Sequence, residues 1–345
     1  MKALCIGAAS LFFERRIGMK RTTMLAAGFC FVLSIIGAGG GVLAADTYPV
    51  KPITFIIPLE AGADGDILAR PLCQKVSQML GQPLMIVNKP GAGSSIGYRD
   101  IYAARPDGYT IGWGSASLIS NKMQGIMNID HEAFTLIGTY ATYIPIIVAS
   151  MKTQRPFKMV NEMLSFGKAR PGEISIATSG VGQTWWTATM ALQAGTGIQF
   201  NIIPQPGAAG FAIAQVLGGH TDLGVTAMGS AKTHIDAGTL SFLAVFGSKR
   251  APGYEKVPTL KDVGYDINFE STQILIAPPK MPKEILDKLS KAFLTAANEP
   301  DYQKLVIERN AVPIVLPPDK AKEFFNEQRK VVRSIMEKAG ILKEN

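Results

Sequence analysis

From Thr54 onward, apolar residues fall into two alternating rhythms. Short unbroken runs such as Thr54-Phe55-Ile56-Ile57 lead into Gly-rich junctions, and apolar positions three or four apart follow. Leu68, Leu72, Val76 and Met79 keep the helical period until Gly81, a residue suited to ending a helix. The pattern predicts buried strands at 54–57, 84–87 and 110–113 with helices between them, and the same order returns at 174–177, 200–203 and 223–227. Pro90 lies 24 residues before Gly114, and Pro206 lies 23 before Gly229. This repeated strand–helix alternation predicts an α/β fold of two similar lobes with a ligand cleft between them. The apolar runs 145–150 and 272–277 are expected to carry the chain between lobes, which assigns 45–148 and 272–345 to lobe 1 and 149–271 to lobe 2. Helices expected at 283–297 and 320–338 would pack mainly on lobe 1.

In open α/β sheets the ligand lies beyond the carboxyl ends of the strands. Four Gly-rich helix starts stand there: Glu60-Ala61-Gly62-Ala63-Asp64-Gly65-Asp66, Pro90-Gly91-Ala92-Gly93-Ser94-Ser95, Ser179-Gly180-Val181-Gly182-Gln183 and Pro206-Gly207-Ala208-Ala209-Gly210. A helix start offers free backbone N–H groups and the positive end of the helix dipole, so it can hold an anion without Lys or Arg. Any one of these loops is accounted for by turn and cap chemistry. Four in matched positions point to a shared anion cleft.

Charge changes the picture only at the start of the chain. The net charge of +8 suggests nucleic acid, but Lys2, Arg15, Arg16, Lys20 and Arg21 against Glu14 place +4 of it within residues 1–44. The remaining +4 is scattered among acidic residues with no basic stripe, which argues against nucleic-acid binding. Met19-Lys20-Arg21, the apolar run 24–36 and Val42-Leu43-Ala44 read as a signal peptide over 1–44, cleaved after Ala44. The apolar run breaks at Gly37, short of the ~20 residues of a spanning helix. Phe29 before Cys30 does not suit lipid attachment. Cys5 and Cys30 fall in this leader, so Cys73 alone remains, a buried thiol with no internal disulfide to form.

Catalytic motifs are present but out of context. Gly93-Ser94-Ser95-Ile96-Gly97 spells the hydrolase elbow, yet five residues separate it from its strand, and His131, His220 and His234 sit where surface or cap roles suffice. Gly91-Ala92-Gly93 lacks the third glycine of a dinucleotide fingerprint. Glu60, Asp64 and Asp66 do not have the calcium-loop order, so neither a metal nor a cofactor is expected. Trp185 and Trp186 start a helix about 100° apart, so one can enter the core while the other lines the cleft.

From Tyr48-Pro49-Val50-Lys51-Pro52-Ile53 to about Leu342 the chain resembles the periplasmic solute receptors of tripartite tricarboxylate transporters, the Bug family. Further pieces are Pro58 to Asp66, Asn88-Lys89-Pro90-Gly91-Ala92-Gly93, Pro106-Asp107-Gly108-Tyr109-Thr110, Ser179-Gly180-Val181-Gly182, Leu217-Gly218-Gly219 with Asp222-Leu223, and Val257-Pro258-Thr259-Leu260. The resemblance implies a type II periplasmic-binding-protein fold that closes on small carboxylates and serves integral-membrane permease subunits. It places Leu59, Glu60, Ala61, Gly62, Asp64 and Asp66 at the site with Ser179, Gly180, Val181, Gly182 and Gln183. Asp66 would order its loop, Ser94 and Ser115 would add contacts, and Gly207 and Ala208 would supply N–H groups.

The sequence departs from the family pattern at Ala63 for glycine, Glu60 for a small residue, Trp186 for His, Gln205 for Tyr and Thr226 for Asp. Glu60 would disfavour a second carboxylate nearby, face solvent, or bind an amine or hydroxyl. Trp186 suits an aromatic or otherwise flat ligand. The expected protein is a secreted, periplasmic, monomeric receptor that hands an organic acid to a permease and catalyses nothing. The alternatives are a sensory receptor addressing a membrane kinase and a serine hydrolase using Ser95.

Overall fold

The structure is a computed structural model that describes residues 48–205, 209–247 and 249–343. The expected leader and its cleavage point, together with Gly207 and Ala208, lie outside the described residues.

Among the described residues the strands form two sheets. The first contains β1 (Ile53–Ile57), β2 (Leu84–Asn88), β3 (Thr110–Gly114), β4 (Thr135–Tyr143), β10 (Ser271–Ala277) and β11 (Val312–Pro313), in the order β11-β4-β10-β3-β1-β2. The second contains β5 (Pro145–Ser150), β6 (Ser175–Thr178), β7 (Asn201–Pro204), β8 (Leu223–Ala227) and β9 (Leu240–Val245), in the order β7-β6-β8-β5-β9. Each lobe thus holds a parallel trio, β2-β1-β3 or β7-β6-β8, flanked by an antiparallel strand, β10 or β5. The matched spacing in the sequence is this repeated trio. Parallel strands covered on both faces read as unbroken apolar runs, and Phe55, Ile57, Ile111, Ile176 and Val225 are fully buried.

Helices α1 (Asp64–Leu80) and α2 (Ser95–Ala103) connect the first trio, and α5 (Thr184–Thr196) and α6 (Ala209–Gly218) connect the second. Gly81 ends α1 in the left-handed conformation, φ +67°, which glycine adopts without a Cβ penalty. The chain passes from the first sheet to the second with only Ile144 between β4 and β5.

One strand differs from the sequence expectation. The pattern gives no sign of β4, because its run of threonines looks polar, yet the strand is almost wholly buried. Two of its threonine hydroxyls find partners from distant segments: Thr139 Oγ1 donates to the Ile314 carbonyl at 2.7 Å, and Thr142 Oγ1 accepts from Thr272 Oγ1 at 3.0 Å. The last helix, α10 (Pro318–Lys338), packs mainly on the first lobe, as expected, and also reaches the second. It packs on β4 and on α3 (Ser117–Met123), and also against α5 of the second lobe. Its length carries it past the edge of one sheet: 21 residues span about 30 Å.

Candidate functional site

The first wall is built from the β1–α1 junction. Ala63, in the N-cap position, has no side chain able to cap α1. Asp66 instead ties down the loop ahead of the helix, its Oδ2 accepting the Gly62 N–H at 2.9 Å and Arg70 Nε at 2.8 Å while Oδ1 accepts Asn88 Nδ2 at 3.0 Å. Burial alone would raise the Asp66 carboxyl, but the bonds from Arg70, Gly62 and Asn88 outweigh it and hold the group below its usual value. The tied loop presents Leu59, Ala63, Asp64 and Gly65 to a cavity.

The second wall is the β6–α5 junction. Ser179 Oγ accepts the Trp186 N–H at 3.1 Å, and Gln183 Oε1 accepts the Gly180 N–H at 3.1 Å. These bonds take one loop N–H ahead of each helix, those of Gly62 and Gly180, and one in the first turn of α5, that of Trp186. Gly62 and Gly180 stand two and four residues ahead of their helices, so the bonds to Asp66 and Gln183 order the loops. Ser117, Ser179, Gln183, Thr184, Ser271 and Gln273 add hydroxyls and amides to the cavity wall.

The cavity measures about 40 Å³, and both lobes contribute to its wall. Trp113, Tyr143 and Trp185 supply its aromatic side. Trp113 is held by its Nε1 donating to Gln273 Oε1 at 2.8 Å, and Tyr143 by its hydroxyl donating to the Asp64 carbonyl at 3.0 Å. Gly65 is glycine for a steric reason, since a Cβ there would lie 2.7 Å from the Trp113 ring. Bonds that cross between lobes include Ser230 Oγ to Asp64 Oδ1 at 2.8 Å, Ser115 Oγ with Thr184 Oγ1 at 3.1 Å, and Ser120 Oγ to the Gly182 carbonyl at 3.1 Å. Ser230 belongs to α7 (Met228–Asp236). The Asp64 carboxyl is pushed above its usual value by burial, which the bonds from Ser230 and Trp185 oppose only in part.

Of the residues expected at the site, Leu59, Asp64, Ser179 and Gln183 line the cavity, and Ser115 holds its rim through Thr184. Ala61, Gly62 and Val181 are exposed, and Gly180 and Gln205 are half-buried away from the lining. Ser94 is buried beside the cleft loops with its hydroxyl unpartnered, as is Thr226 within β8. Gly182 meets the opposite lobe: a Cβ there would stand 2.3 Å from Asn121 Oδ1. Glu60 is half-buried outside the lining, with Oε2 buried and without a hydrogen-bond partner. Of the tryptophan pair, Trp185 lines the cavity, whereas Trp186 is buried outside it. The phase of α5 decides this, and spacing alone leaves it open by one residue. Sequence reasoning misses Trp113, Tyr143, Ser271 and Gln273. The first two stand near the carboxyl ends of β3 and β4, the signal that could have found them; the others lie on the returning strand β10.

A family model described as the tripartite tricarboxylate transporter family receptor matches residues 68–341. The protein of Cupriavidus necator named UPF0065 protein in gbd 5'region is 30% identical over 300 residues, covering 87% of this chain and 90% of that one. Protein BugT of Bordetella pertussis is 28% identical over 341 residues, covering 94% and 98%. The solved structure of the periplasmic binding protein BugD superposes with a TM-score of 0.77 at 25% identity, covering 86% of this chain and 99% of that one.

Proposed function

Because this chain belongs to the tripartite tricarboxylate transporter family of receptors, we propose that it is a periplasmic, monomeric receptor that closes on a small organic acid and delivers it to membrane permease subunits. The observation that carries the reading is the cavity at the lobe junction, walled from both sides by uncharged donors and bridged by cross-lobe bonds. A ligand touching both walls binds the closed arrangement better than the open one and so shifts the population toward closure. Binding without turnover is the expectation: Ser95 Oγ is buried without a hydrogen-bond partner, and His131 Nε2 pairs with Asn326 Oδ1 at 2.9 Å. A triad would need these groups in reach of one another.

The test is native mass spectrometry of protein taken from a periplasmic extract, followed by a thermal-shift panel of organic acids. The reading predicts a co-purified small carboxylate and a mature chain that begins at Ala45. At 100 times the dissociation constant the acid should stabilise the native state by about 2.7 kcal/mol, or ~5 to 10 °C in melting temperature. Retention of residues 1–44 in a membrane fraction would refute the export, and a panel without any shift would refute the ligand class.

A further inference from the structure

Asp64 carries the only formal charge among the described residues that line the cavity. An acidic residue in the first turn of a helix ordinarily serves the helix, by capping it or by facing its dipole. In α1 the N–H of Gly62 is taken by Asp66, and the Asp64 side chain turns to the other lobe. Its partners there, the Ser230 hydroxyl and the Trp185 indole, are both neutral. Among the described residues no ion pair involves Asp64. Four residues earlier, Glu60 adds a second carboxylate with a buried, unpartnered oxygen. The loop therefore brings negative charge to a partly dry place without a cation of its own.

Two like charges repel more strongly there than in bulk water, so a ligand with a carboxylate at each end sets one of them against Asp64. A cationic nitrogen reverses the sign of that interaction, and the rings of Trp113, Tyr143 and Trp185 are neutral neighbours that a cation tolerates well. We propose that the solute is an ammonium acid, carrying a positively charged nitrogen as well as a carboxylate, and that Asp64 is the residue that selects it. This rests on the reading of the cavity as an organic-acid site. The Ser179 hydroxyl, which only accepts from the Trp186 N–H, and the Gln183 amide nitrogen are left to hold the carboxylate end.

Calorimetry with matched acids tests the selection. β-Alanine is succinate with one carboxylate replaced by an ammonium group, 4-aminobutyrate stands in the same relation to glutarate, and glycine betaine supplies a quaternary nitrogen. The wild-type protein should bind at least one ammonium acid tenfold more tightly than its dicarboxylate partner. Asp64→Asn keeps the shape and removes the charge, and it should erase or invert that ratio. Ser230→Ala removes one neutral partner and keeps the aspartate, so ammonium acids should still bind more tightly than their dicarboxylate partners. Tighter binding of succinate or glutarate by the wild-type protein overturns the selection and leaves the receptor reading standing, a comparison that needs no variant. Equal weakening of both members of a pair by Asp64→Asn and by Ser230→Ala makes Asp64 a tie between lobes and also overturns it. If no acid of either class binds, both readings fall.

Discussion

Gly182→Ala tests whether ligand capture depends on the two lobes meeting. Gly182 has φ +82°, and a Cβ there would lie 2.3 Å from Asn121 Oδ1 and 2.5 Å from Ile126 Cδ1, both in the first lobe. Gly62 provides the control, with φ +83° and no atom within 4 Å of its would-be Cβ. Forcing alanine into the left-handed region costs about 1–2 kcal/mol at either position. Only Gly182→Ala adds the cross-lobe clash, which on the scale of overpacked sites costs about 1–3 kcal/mol. Opening the lobes relieves the clash but not the backbone strain. The two variants should therefore lose similar stability, ~2 to 8 °C in melting temperature at ~2–4 °C per kcal/mol. They should differ in binding, because a penalty confined to the closed state lowers the apparent affinity by its full amount, about 5- to 150-fold. Calorimetry with the acid found in the panel gives the dissociation constants, and small-angle scattering gives the radius of gyration at saturating ligand. Equal affinities in the two variants, with equal contraction on ligand, would refute the argument that capture needs Gly182 against Asn121.

Asp66 should give the protein a distinct acid limb. Its folded pKa lies below the ordinary carboxylate value, so its contribution is complete above about pH 4 and is lost as pH falls through the lower folded value. Asp66→Asn should lower the melting temperature at pH 7 and flatten its decline between pH 5 and pH 3; parallel curves for variant and wild type would contradict this. Cys73 is buried and its thiol is pushed far up by that burial, so in the mature chain a thiol reagent should label it only after denaturation, and reductant should not move the melting point. Rapid labelling of the native protein would show that the α1–β2 region opens.

The α/β class, the repeated strand–helix trio and the Gly-rich junctions at the strand ends were all legible in the chain, because burial on both faces and helix capping leave local marks: apolar runs, residues three or four apart, and glycine where φ turns positive. Strand limits at 53–57, 110–114 and 223–227 fall within one residue of the pattern for that reason. The junctions at 59–66 and 179–183 were likewise readable as loops facing a cleft, and Asp66 as the residue that orders the first of them. What the sequence could not reveal depends on partners far away in the chain. Strand β4 reads as polar until Ile314 and Thr272 are seen to satisfy its threonines. Trp185 and Trp186 exchange roles with a rotation of 100° that only the packing of α5 sets. The Gly62 and Gly180 N–H groups look free for an anion until Asp66 and Gln183 are found on them. Asp64 was expected at the site, but its partner there, Ser230, stands 166 positions later and arrives from the other lobe. Local periodicity encodes elements, whereas the charge that a ligand meets is decided by which side chains the fold brings together in a place shielded from water.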